Sequence, residues 1–285
     1  MKVAVGIAAY NEEANIGNLL SRLLEEDVDE IIVVTSGCTD RTDDIVAEFC
    51  EKCQRIKHVR EAERRGKSAA VNIILREARD KDVLVMLSAD NLPEKGGIRK
   101  ILEHFEEKVG AVSGRPVPTN DKRKLCGFIS HLLWELHFRI SRRSAKLTGE
   151  FYAVRPYLVG ELPENVVNDD LFVEQEVRRR GYEIVQSDVL SLMKGPESVS
   201  EFLRQRIRVH IGHLQLRKTK NYSPSTTSIR IILSEAFKSV ESKELPKLFA
   251  AFLLEGIARV CALLLFKLGK IPYKWRPVSS TKNIG

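Results

Sequence analysis

The chain has 285 residues, 43% of them hydrophobic and 30% charged, enough for one large domain or a domain with an appendage, and for a sizeable buried core. Its formal net charge of +7 is uneven: residues 200–285 carry 16 Lys and Arg against 5 Asp and Glu, whereas the first 199 carry 30 against 34. A mildly acidic body argues against general DNA or RNA binding, and the basic tail calls for an anionic partner such as a phosphate or a membrane surface. The five cysteines, Cys38, Cys50, Cys53, Cys126 and Cys261, form no framework. Cys50 and Cys53 fall within a helical pattern without a second pair or metal-spaced histidines, and read as ordinary thiols. Met1 opens directly into a strand with no leader pattern, so a cytoplasmic protein, or one on the cytoplasmic face of a membrane, is expected.

In chain order, residues 2–9 form a β-branched apolar run that reads as a buried parallel strand. Asn11 is a candidate N-cap, followed by Ile16, Leu19, Leu20, Leu23 and Leu24 at helical spacing. A strand at 30–35, a turn at 36–40 and a helix from Thr42 to Cys53 come next. A short strand near 56–59 and the basic turn Arg64-Arg65-Gly66-Lys67 lead into a helix from Ser68 to about Arg79, then a strand at 83–87. Short strands alternating with longer helices define βαβ units and a sheet covered on both faces. A helix at 95–107, a strand at 109–114, an apolar helix at 125–140 with basic flanks, short strands at 151–155 and 183–186, and a helix from Asp170 to Arg180 complete the body. The tail holds an Arg-rich stretch at 204–208, a Pro/Ser/Thr-rich loop at 221–228 and the apolar run Leu248–Phe266. As a helix that run just spans a hydrocarbon core, yet it contains Glu255 and Arg259, each costly in lipid. An in-plane or oligomer-forming helix is favoured over a span and over a buried helix, and the helix at 125–140 either lies against anionic lipid or roofs the acceptor site.

Ligands of open α/β sheets bind beyond the carboxyl ends of the strands, where Ala9–Glu12, Ser36–Asp40 and Ser88–Asn91 stand. No G-x-G-x-x-G follows the first strand, which argues against a dinucleotide-dependent oxidoreductase, and Gly66-Lys67-Ser68 lacks the upstream glycine of a P-loop. What remains is a cleft edged by carboxylates with Lys67 and Arg65 near by, suited to a nucleoside diphosphate held by Mg2+ or Mn2+.

In these motifs the chain resembles the family 2 glycosyltransferases. Ala8-Ala9-Tyr10-Asn11-Glu12 is similar to the family's opening strand-end motif, and Asp40 matches the aspartate that contacts the nucleotide base. Gly66-Lys67 matches the element beside the diphosphate, and Ser88-Ala89-Asp90 stands where the family has D-x-D. Asn168-Asp169-Asp170-Leu171 resembles the element whose last aspartate is the catalytic base, and Gln205-Arg206-Ile207-Arg208-Val209 resembles Q-x-x-R-W. The ordered set covers about residues 1–210. Ser88 departs from D-x-D, leaving the metal chiefly to Asp90, the diphosphate and water. Val209 removes an aromatic stacking face and weakens the case for a processive polysaccharide synthase.

The resemblance implies a GT-A-type, Rossmann-like mixed sheet flanked by helices with a C-terminal helical extension. Residues 1–215 would form the catalytic domain, its nucleotide-sugar half at about 1–115 and its acceptor half at about 116–215, with a basic helical region at 216–285. It implies inverting transfer from a nucleoside-diphosphate sugar, a UDP-sugar preferred to a GDP-sugar, to a saccharide, a polyprenyl phosphate or another lipid-linked acceptor. Asp170 is the expected base and Asp90 the metal ligand, with Ala9, Tyr10, Glu12, Asp40, Lys67, Ala89, Asp90, Gln205 and Arg208 around the donor. Gln205 and Arg208, three apart, share a helix face. Asp40 also suits a cap on the helix from Thr42, and Glu150 falls on the acceptor side. His210 and His213, three apart, lack a third metal ligand and read as surface or supporting residues. The rivals are a sugar-nucleotide nucleotidyltransferase, against which the lack of a glycine-rich loop over 5–13 counts, and a non-catalytic nucleotide-sugar scaffold, against which Asp170 counts.

Overall fold

The apolar run Val3–Ala9 forms strand β1 at the heart of the sheet. Glu30–Ser36 (β2), Ile56–Glu61 (β3) and Val83–Ser88 (β4) lie parallel to it in the order β3-β2-β1-β4. Strands covered on both faces have no polar side to alternate with, so they read as continuous apolar runs. Beyond β4 the sheet becomes mixed. Phe151–Val154 (β7) pairs antiparallel with β4 and with Val109–Pro118 (β6), β6 runs parallel to Glu183–Met193 (β8), and the short Asn91–Pro93 (β5) closes the edge against β8. This computed structural model describes residues 1–220, 228–274 and 278–282, so the loop expected at 221–228 lies, but for Ser228, outside the described residues.

Helices Ile16–Leu24 (α1), Thr42–Lys52 (α2) and Gly97–Leu102 (α4) cover one face of the sheet through Leu19, Leu20, Leu23, Val46 and Ile98. Lys67–Glu77 (α3) and Asp169–Arg179 (α6) cover the other through Val71, Ile74, Leu171 and Phe172. Gly37, at φ +59, makes the turn after β2, and a Cβ there would come 2.8 Å from the Arg64 backbone nitrogen. Only glycine admits that turn and that approach together. Leu125–Ser141 (α5), Val199–Lys220 (α7), Ile229–Ser239 (α8) and Leu245–Lys267 (α9) form a helical cap whose own core includes Phe128, Ile129, Leu132, Phe202, Ala236 and Leu248.

Several sequence expectations need correction. Asn11 is not an N-cap: it takes φ 53 in the turn, and Asn15 precedes α1 without a side-chain capping bond. The helix expected at 95–107 is only six residues long, because the chain turns back at His104 and Phe105 to reach β6. The strand expected at 183–186 runs on to Met193, since β6 and β5 both supply partners. Asn91–Pro93, for which no strand was expected, pairs with Ser191–Met193. Helix α8 was not foreseen, and α5, buried over ten residues, roofs the cavity described below.

Helix α9 is 23 residues long, and it is the one helix among the described residues long and apolar enough to cross a membrane. It is not a buried helix: Leu248, Ala251, Ala258 and Ala262 face inward, whereas Phe249, Leu253, Val260 and Leu264 are more than half exposed. It runs along α7, from the Glu255 contact with Arg206 to the small core shared by Ala262 and Ile211. Glu255 accepts hydrogen bonds from Arg206 Nε at 2.9 Å and Nη2 at 2.8 Å, and lies 2.8 Å from His210 Nε2. Burial pushes its carboxyl up, but Arg206 and His210 outweigh that and hold it far below the carboxylate range. A depressed carboxylate contributes stability that is present above its unfolded pKa, near 4.5, and lost only as pH falls through the folded value.

Removing Glu255 strands Arg206 half-buried against α9. Glu255→Ala is expected to destabilise the protein by about 2 kcal/mol at pH 7, with Glu255→Gln costing less. Urea unfolding of both variants checks this, and parent-like midpoints for both would show that the pair does not hold α9.

Candidate functional site

A cavity of about 1150 Å3 opens where β1 and β4 end and extends under α5 between α7 and α9. Of the residues proposed from sequence, Ala9, Tyr10, Glu12, Lys67, Ala89, Asp90, Asp170, Gln205 and Arg208 all line it. Because β1, β2 and β4 are parallel, their trailing residues emerge on one edge, which brings Glu12 and Asp90 together. Gln205 and Arg208 reach the cavity from one face of α7, as their spacing predicts.

Asp40 does not line the cavity. Its carboxylate accepts from the Thr42 backbone N–H at 3.0 Å, the Thr42 hydroxyl at 2.5 Å and the Glu13 N–H at 3.2 Å, so it ties the start of α2 to the β1 loop. Burial raises its pKa, and these bonds together lower it below the ordinary value. Arg65 also points elsewhere, pairing with Glu164. The arginine that reaches the cleft is Arg64, whose guanidinium stacks 4.0 Å from the centre of the Tyr10 ring. Cation and ring thus make one wall of the donor end.

Lys67 opens α3, where a cation opposes the helix dipole. Its counter-charge comes from the chain: Lys67 Nζ lies 3.1 Å from Asp169 Oδ2 and donates to the Gly149 carbonyl at 3.2 Å. Burial pulls its pKa down, but Asp169, Glu150 and Asp170 reverse that and raise it. Ser88 donates its hydroxyl to the same carbonyl at 2.9 Å, so the residue at the first D-x-D position is spent on the protein's own backbone. Arg208, buried among Glu150, Asp169, Asp170 and Asp90, has its pKa lowered by desolvation, which those carboxylates only partly offset.

The carboxylates are electrostatically loaded. Glu12 is pushed up to about 7 by burial and by Asp90, against the pull of Lys282. Asp90 is raised by burial, with Lys282, Lys67 and Arg208 opposing. Asp170 is raised by burial and by Asp169, with Lys146 and Lys67 opposing. Glu150 reaches about 7, mainly through burial, with Asp170 and Asp90 adding and Lys67 and Arg208 opposing. Two buried carboxylates repelling each other form a site that gains from a cation. Glu12 and Asp90 therefore fit a divalent ion with oxygen donors from a diphosphate and water completing its shell. Among the described residues no three His, Cys, Asp or Glu side chains cluster closely enough to enclose an ion unaided.

Sequence reasoning missed Lys282, whose ammonium donates to the Tyr10 carbonyl at 2.8 Å and pairs with Glu12. Its segment is held at Ser280, which donates to Glu201 Oε2 at 2.6 Å. No local signal marks a residue 270 positions away as a partner of Glu12. Lys146 was missed as well, though it follows a basic flank and lies in the cavity. Glu150 was noticed but not taken as a site residue, and only its burial reveals the shift.

The chain belongs to glycosyl transferase family 2, whose model matches residues 4–159. It is 26% identical over 252 residues to a poly-beta-1,6-N-acetyl-D-glucosamine synthase of Staphylococcus epidermidis, covering 82% of this chain and 60% of that protein. It is 40% identical over 123 residues to the probable glycosyltransferase YdaM of Bacillus subtilis, covering 40% of this chain and 29% of the relative. The chain thus spans 60% and 29% of the length of these two relatives. Among solved structures, a mannosyltransferase of Pyrobaculum calidifontis in complex with GDP-Man and Mn2+ superposes with a TM-score of 0.63 at 24% identity, covering 98% of this chain and 82% of that one. Glucosyl-3-phosphoglycerate synthase of Mycobacterium tuberculosis, with Mn2+ and UDP, gives a TM-score of 0.54 at 19% identity over 75% of this chain and 79% of that one. At these identities the likeness is one of fold, and the fold is the GT-A type that the sequence resemblance implied.

A carboxyl whose folded pKa is raised binds an extra proton between its unfolded and folded values, so stability falls as pH rises through that window. For Glu150 the window runs from 4.5 to about 7. Glu150→Gln removes the penalty and is expected to stabilise the ligand-free protein by about 1–2 kcal/mol at pH 8, with the gap closing at pH 5. Urea unfolding at the two pH values checks this, and a pH-independent difference would contradict the shift.

Proposed function

We propose that the chain transfers a sugar, with inversion, from a nucleoside-diphosphate sugar to a hydroxyl or phosphate of a lipid-linked acceptor at a membrane surface. A UDP-sugar is favoured, with a GDP-sugar as the other donor. The observation that carries the reading is that Asp90, Asp170, Lys67, Gln205 and Arg208 line one continuous cavity whose far end is apolar. Ala9, Tyr10, Glu12 and Ala89 border the donor end, and Asp40 supports that end from outside the lining by holding the Glu13 N–H of the β1 loop. Residues 1–215 act as the catalytic unit, 1–115 holding the donor and 116–215 the acceptor, and 216–285 act as the membrane-facing region.

Asp170, raised by burial, accepts a proton as the acceptor oxygen bonds to the anomeric carbon and the bond to the diphosphate breaks. Lys67 and Arg208 stabilise the charge that develops on the departing nucleoside diphosphate. Asp90, beside Glu12, would hold an Mg2+ or Mn2+ ion, which would supply Lewis-acid stabilisation of that leaving group. One base facing one leaving group supports inversion. A second reading makes Glu150 the base, because its pKa of about 7 suits proton transfer at neutral pH.

The outer face of α8 and α9 supports the membrane reading. Ile229, Phe237, Phe249, Leu253, Val260 and Leu264 are each more than half exposed, and Lys238, Lys243, Lys267 and Lys270 lie beside them. Such a face suits a helix pair lying in the plane of an anionic bilayer. Coupling of Glu255 to α7 favours that arrangement over a span.

Purified protein with Mg2+ or Mn2+ and a panel of UDP-, GDP- and dTDP-sugars is expected to release one nucleoside diphosphate in a metal-dependent reaction. Asp90→Ala and Asp170→Asn are each expected to lower the rate about 10²- to 10⁴-fold. If Asp170→Asn keeps the parent rate while Glu150→Gln loses it, Glu150 is the base; if no donor turns over, the scaffold reading replaces transfer. Flotation with vesicles should show binding to anionic lipid that weakens at high salt, whereas binding only to neutral vesicles, or self-association without lipid, would reassign the α8–α9 face.

A further inference from the structure

Past Asp170, away from the donor end, the cavity holds polar groups that the transfer step does not employ. They are His137 of α5, Lys146 of the loop after it, and His213 of α7. Lys146 is 8% exposed, and its Nζ lies 3.5 Å from His137 Nε2. Both ring nitrogens of His213 are shut off from solvent and have no hydrogen-bond partner among the described residues. Desolvation, with Lys146, His210 and Arg206 adding, holds His213 well below the ordinary histidine range, so its ring is neutral and offers one donor and one acceptor. His137 is depressed in the same way, by desolvation and then by Lys146 and Arg206.

The local charge is unbalanced. Arg206 and His210 both bind Glu255, and Arg259 lies 3.7 Å from the same carboxylate, so that one acid serves three basic groups. Lys146 feels Asp170, but its hydrogen bond among the described residues is to neutral His137. A buried imidazole left without partners is destabilising, and a ligand rich in acceptor oxygens would satisfy its N–H. An anion would also balance Lys146. Next to this cluster the walls turn apolar, with Ile129, Leu132, Leu136, Phe202, Ile232 and Phe252 contributed by α5, α7, α8 and α9. Of those helices, α8 and α9 carry the exposed apolar face.

Resting on the transferase reading above, we propose that Lys146, His137 and His213 form the subsite for a phosphate monoester on the acceptor. The hydrocarbon chain of that acceptor lies along the apolar walls, so the acceptor is a lipid phosphate, not a neutral lipid or a free saccharide. In the step itself a phosphate oxygen forms the bond to the anomeric carbon as the carbon–oxygen bond to the nucleoside diphosphate breaks. The electron pair of that bond leaves with the nucleoside diphosphate. A phosphate entering as the monoanion gives its proton to Asp170, and one entering as the dianion needs no base.

The test titrates the full chain with a short polyprenyl phosphate, the matching polyprenol and inorganic phosphate, by calorimetry in detergent, beside His213→Ala, Lys146→Met and Lys146→Arg. The phosphorylated lipid is expected to bind about tenfold or more tighter than the polyprenol, with inorganic phosphate competing only weakly. His213→Ala and Lys146→Met should each weaken the phosphorylated lipid by about tenfold, Lys146→Arg should recover part of the loss, and nucleoside-diphosphate affinity should report an intact fold. Equal affinity for polyprenol and polyprenyl phosphate overturns the proposal, as does parent-like binding by both variants. Binding of inorganic phosphate as tight as that of the lipid form would overturn the lipid source. If a neutral lipid accepts sugar in a metal-dependent reaction, transfer stands and this subsite falls. If no donor turns over but lipid-phosphate binding still depends on His213 and Lys146, the subsite stands and the transferase reading falls.

Discussion

The ion pair between Lys67 and Asp169 joins the two halves of the molecule at the point where its chemistry is concentrated. Lys67 opens α3 in the first half, and Asp169 opens α6 in the second. Each is poorly solvated, so neither charge is affordable without the other, and the pair sets the spacing between the sheet edge and α6. Asp170 follows immediately and is turned into the cavity, while Asp169 absorbs the cation. The Gly149 carbonyl, accepting from Lys67 and from Ser88, draws the acceptor-side loop into the same arrangement. Without that pairing the buried carboxylates beside the strand ends would be left to Arg208, Lys146 and Lys282 for counter-charge.

A second constraint acts from α7. Gly212 lets that helix approach the loop before α6 so closely that a Cβ there would come 2.4 Å from the Asn168 amide. Asn168 donates back to the Val209 carbonyl, and Gln215 bonds to the backbone of Val167 and Asn165. Arg208 is thereby presented to four carboxylates, Glu150, Asp169, Asp170 and Asp90, from three separate segments. On its other side α7 carries α9 through Glu255, so one helix lies between the apolar outer face and Arg208 among the buried carboxylates.

The candidate site residues legible in the sequence were those placed by local backbone: Glu12 and Asp90 beyond strand ends, Lys67 and Asp170 at the starts of two helices, and Gln205 with Arg208 one turn apart. Asp40 shows both sides of such reading: the bond it accepts at the start of α2 was expected from its place before Thr42, whereas its tie to the Glu13 N–H and its place outside the cavity lining were not. Arg64 and Arg65 differ by one position, and only the path of the turn decides which stacks on Tyr10 and which pairs with Glu164.

By itself the sequence determined the βαβ order, the parallel strand ends that collect acidic residues on one edge, and the apolar length of α9, because each follows from periodicity over neighbouring residues. Only the tertiary structure decided that β8 extends to Met193, that Lys282 returns to Glu12, and that His137, Lys146 and His213 line the same cavity as Asp170. Those outcomes depend on burial and on partners tens to hundreds of positions apart, and desolvation, which moves Glu150 to about 7, is a property of the packed site and not of the chain.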